Sequence, residues 1–475
     1  MTEDAHEISA STKRILPWLV AVAFFMEMLD TTILNTAVPT IAGALHVAPL
    51  SMKSVLSSYT LSLAVFIPVS GRAADRFGTR RVFATAIALF TLGSVLCGVV
   101  NDIHLLVVCR IIQGCGGAMM VPVGRLTLVR SFPKSELVRT MSFVSIPALV
   151  GPMLGPLVGG FLVGLHWRLI FFVNVPIGLL GLYLVHRHLP DFREARRVPI
   201  DVVGLVLFGS GIALLSYVLE VFGEHTLGGG EIGGLLALAL ALIGAYGYHS
   251  KKEPEPLLRL ESFQHRTFRV AVIGGFVTRL GAGGMPFLLP LLYQIGLGYS
   301  PVQSGALIVP QSVAAIVLKV SIPHILSRFG YRMVLLSNTF IMGALIMVFA
   351  TIGPSTPVWL IVLEAATFGF ASSLQYTSMN TLTYAEVTDA ETSMASTIAS
   401  TMQQMSISFA IASASLTTAL FLPSRATSHP IEMIHGIHQA FLVIGATTIV
   451  SAAIFATLKR TDGDDVAKHK VAAGV

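Results

Sequence analysis

Two acids interrupt the apolar run FFMEMLDTTILN at residues 24–35: Glu27 and Asp30. A spacing of three places both on roughly one face of a helix. In lipid, an ionised carboxylate costs about 2.5 kcal/mol or more, so these two need a cation, a proton or water inside the protein. Arg110, deep in another apolar run, has the converse need. A carboxylate that exchanges a guanidinium for a different setting changes its proton affinity. Such a group can load a proton on one side of a membrane and release it on the other. Arg279, Lys319 and Glu364 also fall inside apolar runs, whereas Arg125 lies near enough to the end of its run to reach the interface.

The chain that carries them has 475 residues, 54% hydrophobic and only 12% charged. Soluble domains carry about 25% charged residues, so the composition is that of an integral membrane protein. Apolar runs long enough to span occur at 15–39, 52–71, 82–100, 105–128, 141–165, 168–188, 202–222, 232–249, 270–293, 303–325, 333–352, 357–380, 394–421 and 437–458. Fourteen crossings are therefore expected. The first run is longer than a signal-peptide core and has no clear small-residue cleavage site, so it reads as a span. Cys97, Cys109 and Cys115 all lie in apolar runs, where packing is the expected role.

The net charge of +6 is explained by topology rather than by nucleic acid. With a cytoplasmic N-terminus, 24 of the 31 lysines and arginines fall on the cytoplasmic side, and only Lys53, Arg168 and Arg425 fall outside. Both termini are thus expected in the cytoplasm of a cell that holds the protein in its inner or plasma membrane. The basic segment after the eighth span, HSKKEPEPLLRLESFQHRTFR, suits the membrane surface and anionic lipid headgroups.

A repeat is hidden in two loops. RFGxR occurs at residues 76–80 and again at 328–332, 252 residues apart, at equivalent helix–loop–helix junctions. Duplication of a six-helix unit follows, with two helices inserted between the copies. The expected division is 15–188, then 189–266 for the inserted pair and its linkers, then 267–460, with a tail at 461–475. Transporters built from repeated halves place the substrate site at their interface, near the bilayer midplane.

These residues resemble the major facilitator superfamily, specifically its fourteen-helix drug:proton antiporters. GRAADRFGTRR at 71–81 is similar to the loop signature between helices two and three. RIIQG at 110–114 is similar to the helix-four signature, and GPMLGPLVGG at 151–160 to the helix-five antiporter signature. LDTTILNTAVP at 29–39 is similar to the first-helix signature of the fourteen-helix branch, which does not include Glu27. The resemblance covers nearly the whole chain. It implies an all-α membrane fold of two pseudo-symmetric six-helix bundles plus two inserted helices, and proton-coupled export of amphiphilic small molecules by alternating access.

The resemblance also implies roles. Helices one and four line the cavity in this superfamily, so Asp30 and Arg110 are the expected coupling pair, with Glu27 nearby. Read from their polar type inside apolar runs rather than from the resemblance, Asn35, Gln113, Arg279, Lys319, Glu364, Asn380, Gln403 and Gln404 are the expected cavity residues. Arg279 and Lys319 set positive charge opposite the acids of the first half, which suits anionic or zwitterionic amphiphiles. Gly71, Asp75, Arg76, Gly78 and Arg80 form the expected latch. Gly151, Gly155 and Gly159 form a smooth stripe that lets helices approach closely, Pro152 and Pro156 invite a kink, and the resemblance implies a hinge or seal between the halves.

No phosphate-binding G-x-x-x-x-G-K-[ST] loop, HExxH or CxxC is present, so ATP-driven export, a metal site and any cofactor are unexpected. The expected partners are a small-molecule substrate, protons and membrane lipid, with no nucleic acid, and a monomer suffices. Proton-coupled transport of a specific organic anion is the alternative. An intramembrane enzyme or sensor fits the duplicated arrangement less well.

Overall fold

The computed structural model describes residues 10–193, 199–222, 228–388, 391–422 and 429–463. Arg425 and most of the expected tail lie outside the described residues. The long helices are α1 (Ala10–Ala44), α2 (Lys53–Phe77), α3 (Thr79–Val99), α4 (Ile103–Ser131), α5 (Lys134–Leu165), α6 (Asn174–His188), α7 (Val202–Val221) and α8 (Gly229–Lys252). They continue with α9 (Arg266–Ala282), α10 (Pro301–Val317), α11 (Ile322–Val348), α12 (Val358–Leu382), α13 (Thr392–Leu420) and α14 (Pro430–Val450). Among the described residues, twelve helical segments are long and apolar enough to cross a membrane. The other two expected spans fall on α5, whose apolar part is Val150–Leu165, and on α13, which is rich in Ser and Thr.

Several helices outrun their apolar cores, α1, α4 and α5 among them, because polar residues continue the hydrogen-bonded ladder past the hydrocarbon. Two expected spans are interrupted. The run 270–293 stops as α9 at Ala282, passes through Gly283 and Gly284, resumes at Met285–Leu291 and closes in a π-turn at Leu292–Gly296. Glycines weaken the helix there and let it close on α13: a Cβ on Gly284 would lie 2.6 Å from that of Ala414. The run 303–325 breaks at the 3₁₀ turn Leu318–Val320, which leaves Lys319 exposed.

The two RFGxR loops adopt matching backbones. Gly78 has φ 95° and ψ 143°, and Gly330 has φ 72° and ψ 158°. Only glycine enters this region freely, which explains why both copies carry it. Each turn sits on one face of the molecule, here called the basic face. There Thr79 donates to the carbonyl of Pro190 at 3.0 Å, Arg72 to that of Pro256 at 2.5 Å, and Arg266 pairs with Asp462.

The group α1–α6 meets the group α9–α14 along two seams. In one, α5 packs on α10: a Cβ on Gly160 or Gly305 would run into the backbone of Pro301 or Pro156. In the other, α2 meets α13, with Ser408 donating to the carbonyl of Ser57 at 3.2 Å and Ser415 to that of Leu50 at 3.1 Å. Gln294 reaches across to the carbonyl of Thr36 at 2.8 Å. These contacts concentrate on the face opposite the RFGxR loops. A single apolar cluster there joins Ile33, Val38 and Leu50 to Phe287, Ile411 and Phe441. That face is closed.

Candidate substrate cavity and buried polar network

Four helices converge on Asp30. Its Oδ2 accepts from Arg110 Nη1 at 2.7 Å, and its Oδ1 accepts from Gln113 Nε2 at 2.8 Å and Asn174 Nδ2 at 3.0 Å. The same Arg110 nitrogen donates to Gln113 Oε1 at 2.7 Å, and Gln113 Nε2 donates to Ser94 Oγ at 2.8 Å. The Arg110 guanidinium lies 4.2 Å from the centre of the Tyr59 ring. Asp30 and Arg110 are 1% and 2% exposed, so solvent screens neither. Such a pair holds together because each charge meets the other's desolvation cost, and removal of one partner strands the other. Asn174, Ser94 and Tyr59 escape notice in the sequence. The one available signal is an asparagine within the apolar run 168–188.

Glu27 is buried one turn from Asp30, yet its Oε2 has no hydrogen-bond partner and it does not line the cavity. The charges that act on it are Asp30 and Arg125, the latter 5.6 Å from the Phe24 ring.

Arg110 forms part of the wall of a central cavity of about 290 Å³ between the two helix groups. The first group supplies Thr31, Thr32, Asn35 and Tyr59, and the second supplies Arg279, Gln311, Tyr376, Asn380 and Gln403. Phe287, Phe368, Ile407 and Ile411 form apolar wall. Of the residues expected in the cavity, Asn35, Arg279, Asn380 and Gln403 border it. Gln113 instead belongs to the Asp30 network. Lys319 lies at the exposed helix break. Glu364 and Gln404 sit off the cavity, each with one carboxylate or amide oxygen lacking a partner. Helix azimuth decides these outcomes, and residue type alone does not carry it.

Arg279 is 8% exposed, and its guanidinium lies 4.9 Å from the Tyr376 ring. Among the described residues, no carboxylate pairs with it. Tyr376 and Gln311 were not expected in the wall.

In the loop at 71–81, Asp75 pairs with Arg130 at the end of α4, at 2.9 Å, rather than with its own basic neighbours. Arg80 donates to the carbonyl of Leu189 at 2.5 Å, while Arg76 lies over the Phe77 ring at 5.3 Å. The stripe on α5 packs against α1: a Cβ on Gly151 would come 2.8 Å from Met28 Cβ, and one on Gly155 would strike Thr32. The linker between the groups is fastened by Asp201, which accepts from the Gly204 N–H at 2.7 Å, the Leu257 N–H at 2.9 Å and His249 at 2.9 Å. Burial raises this carboxyl, but those hydrogen bonds outweigh it and hold Asp201 below the usual carboxylate range.

A many-helix membrane bundle with a central cavity between two six-helix groups has the architecture of a membrane transporter. Residues 20–411 match the family model of the Major Facilitator Superfamily, and the chain belongs to that superfamily as a multi-pass membrane protein. Its relatives include the "Putative multidrug resistance protein MdtD" of Serratia proteamaculans, 36% identical over 90% of this chain and 88% of that one. The protein of the same name from Pectobacterium atrosepticum is 37% identical over 85% of this chain and 87% of its own. Among solved structures, a bacterial homologue of the human lysosomal transporter Spinster, inward-facing and unoccupied, aligns with a TM-score of 0.68. It covers 96% of this chain and 99% of its own at 12% identity. A D-xylose-proton symporter aligns at 0.66 and 15% identity, over 95% of this chain and 99% of its own. At these identities the structures attest the fold.

Proposed function

We propose that this protein is a proton-coupled secondary transporter that exports amphiphilic small molecules by alternating access. The observation that carries this reading is the buried Asp30–Arg110 pair at the edge of a cavity between two helix groups. A proton on Asp30 removes the charge that holds Arg110 and Gln113, so the wall that the substrate meets is ordered only while Asp30 is charged. Substrate and proton then compete for one network, which is what antiport requires. The names of the relatives support the multidrug character, and the closed face opposite the RFGxR loops supports an inward-facing state.

In this reading fourteen helices cross the inner membrane, both termini and the RFGxR loops are cytoplasmic, and a monomer suffices. The two bundles are residues 15–188 and 267–460, with 189–266 inserted between them. Asp75 with Arg130 latches the cytoplasmic side, and the bundles seal on the other where α5 meets α10 at Gly160 and Gly305. Glu27 assists protonation beside Asp30.

The test uses purified protein in liposomes with an imposed pH gradient and an internal pH dye. Substrate-driven proton movement is expected with wild type and is lost in Asp30→Asn while substrate still binds. Normal coupling in Asp30→Asn would make Asp30 structural and overturn the mechanism.

A further inference from the structure

The charges that face the cavity are not balanced. Arg110 spends its charge on Asp30, at 2.7 Å. Arg279 faces the same cavity with no carboxylate partner among the described residues, and none of the residues that line the cavity is acidic. A guanidinium that is 8% exposed and unpaired is expensive to bury unless an anion completes it.

The surroundings of Arg279 are built to hold that guanidinium. Gly275 leaves bare backbone beside it: a Cβ there would come 2.9 Å from Nη1. The Tyr376 ring lies 4.9 Å from its carbon and limits the orientation of the fork. One turn on, α9 breaks at Gly283 and Gly284, so the charge sits beside the discontinuity of the helix. In the same cavity Pro286 and Ile407 offer apolar wall, and Asn35 and Gln403 offer neutral hydrogen bonds.

We infer that the transported molecule is an organic anion: an amphiphile whose carboxylate docks on the Arg279 fork while its apolar body lies against Pro286 and Ile407. A planar guanidinium matches a carboxylate through two parallel hydrogen bonds, which an ammonium ligand cannot accept. A lipophilic cation entering the same cavity would meet an unneutralised like charge. This inference rests on the transporter reading and names the class of its substrate.

The experiment holds the aromatic body constant and changes its charge. Naphthoate, naphthamide and naphthylmethylammonium are titrated by calorimetry into the full-length protein in neutral detergent, for wild type, Arg279→Gln and Arg279→Lys. Wild type is expected to bind naphthoate tightest. Arg279→Gln should weaken naphthoate by about ten- to a hundredfold and leave naphthamide unchanged. Arg279→Lys, which keeps the charge but not the fork, should fall between them and guards against misfolding of the glutamine variant. Tighter binding of the ammonium, no saturable naphthoate binding at millimolar concentration, or an unchanged naphthoate preference in Arg279→Gln would each overturn the inference. If instead a cationic compound drives proton flux in the liposome assay, the exporter reading stands and this one falls. If naphthoate binds through Arg279 without proton flux, the substrate class stands and the coupling falls.

Discussion

The two helix groups treat buried charge in opposite ways. In α1–α6, Arg110 is matched to Asp30, and the pair is tied to Gln113, Asn174 and Ser94. In α9–α14 the polar counterpart is neutral: Asn338 donates to Gln375 Oε1 at 2.9 Å and Gln375 to Thr339 at 2.8 Å. Arg279 stands apart from it and faces the cavity with no carboxylate partner among the described residues. The offset of 252 residues between the two RFGxR loops also carries Glu27 onto Arg279 and Asp75 onto Ser327. The two groups thus share the same turns while they differ in charge. One group holds a closed network whose charge a proton can change, and the other holds an open charge that a ligand can complete.

The largest effect should separate the two arginines. Arg110→Gln strands Asp30 and should cost about 3–5 kcal/mol, read as a lower thermal unfolding midpoint in detergent. Arg279→Gln removes a charge that has no acidic partner and should leave the midpoint unchanged or raised. Asp30→Asn combined with Arg110→Gln should recover most of the lost stability. Equal loss in the two single variants would break the comparison.

A smaller effect tests the seam between the groups. Gly305→Val places a side chain against the backbone of Pro156 and should cost about 1–3 kcal/mol and most of the transport rate. Gly164→Ala, which meets nothing within 4 Å, is the control on the same α5. If both variants transport like wild type, the α5–α10 contact is not part of the cycle.

The smallest effect concerns the two loops. Asp75 and Arg130 are 28% and 23% exposed, so Asp75→Asn should change stability by less than about 1 kcal/mol. It should nevertheless slow transport several-fold, whereas Ser327→Ala should leave the rate alone. A matched slowing in both would mean that the second loop has a latch of its own.

Much of this was visible in the sequence for a definite reason. Long apolar runs, basic loops and RFGxR report on solvent and backbone, which act on each stretch locally. The resemblance supplied the Asp30–Arg110 pairing, and the geometry agrees with it at 2.7 Å. Asn174 and Arg130 escaped notice because their partners lie on other helices, 144 and 55 residues away. Glu364 and Lys319 were expected in the cavity because they interrupt apolar runs. That pattern gives depth in the bilayer and not direction around the helix axis.

The sequence by itself determined that this chain is a bundle of membrane-spanning helices with duplicated turns and a few costly charges, because hydrophobic length and glycine's backbone freedom are local properties. Only the tertiary structure decided that Arg110 has a carboxylate partner while Arg279 has none among the described residues, and that one face is closed. Those facts depend on how each helix is rotated against its neighbours, and packing across hundreds of residues sets that rotation.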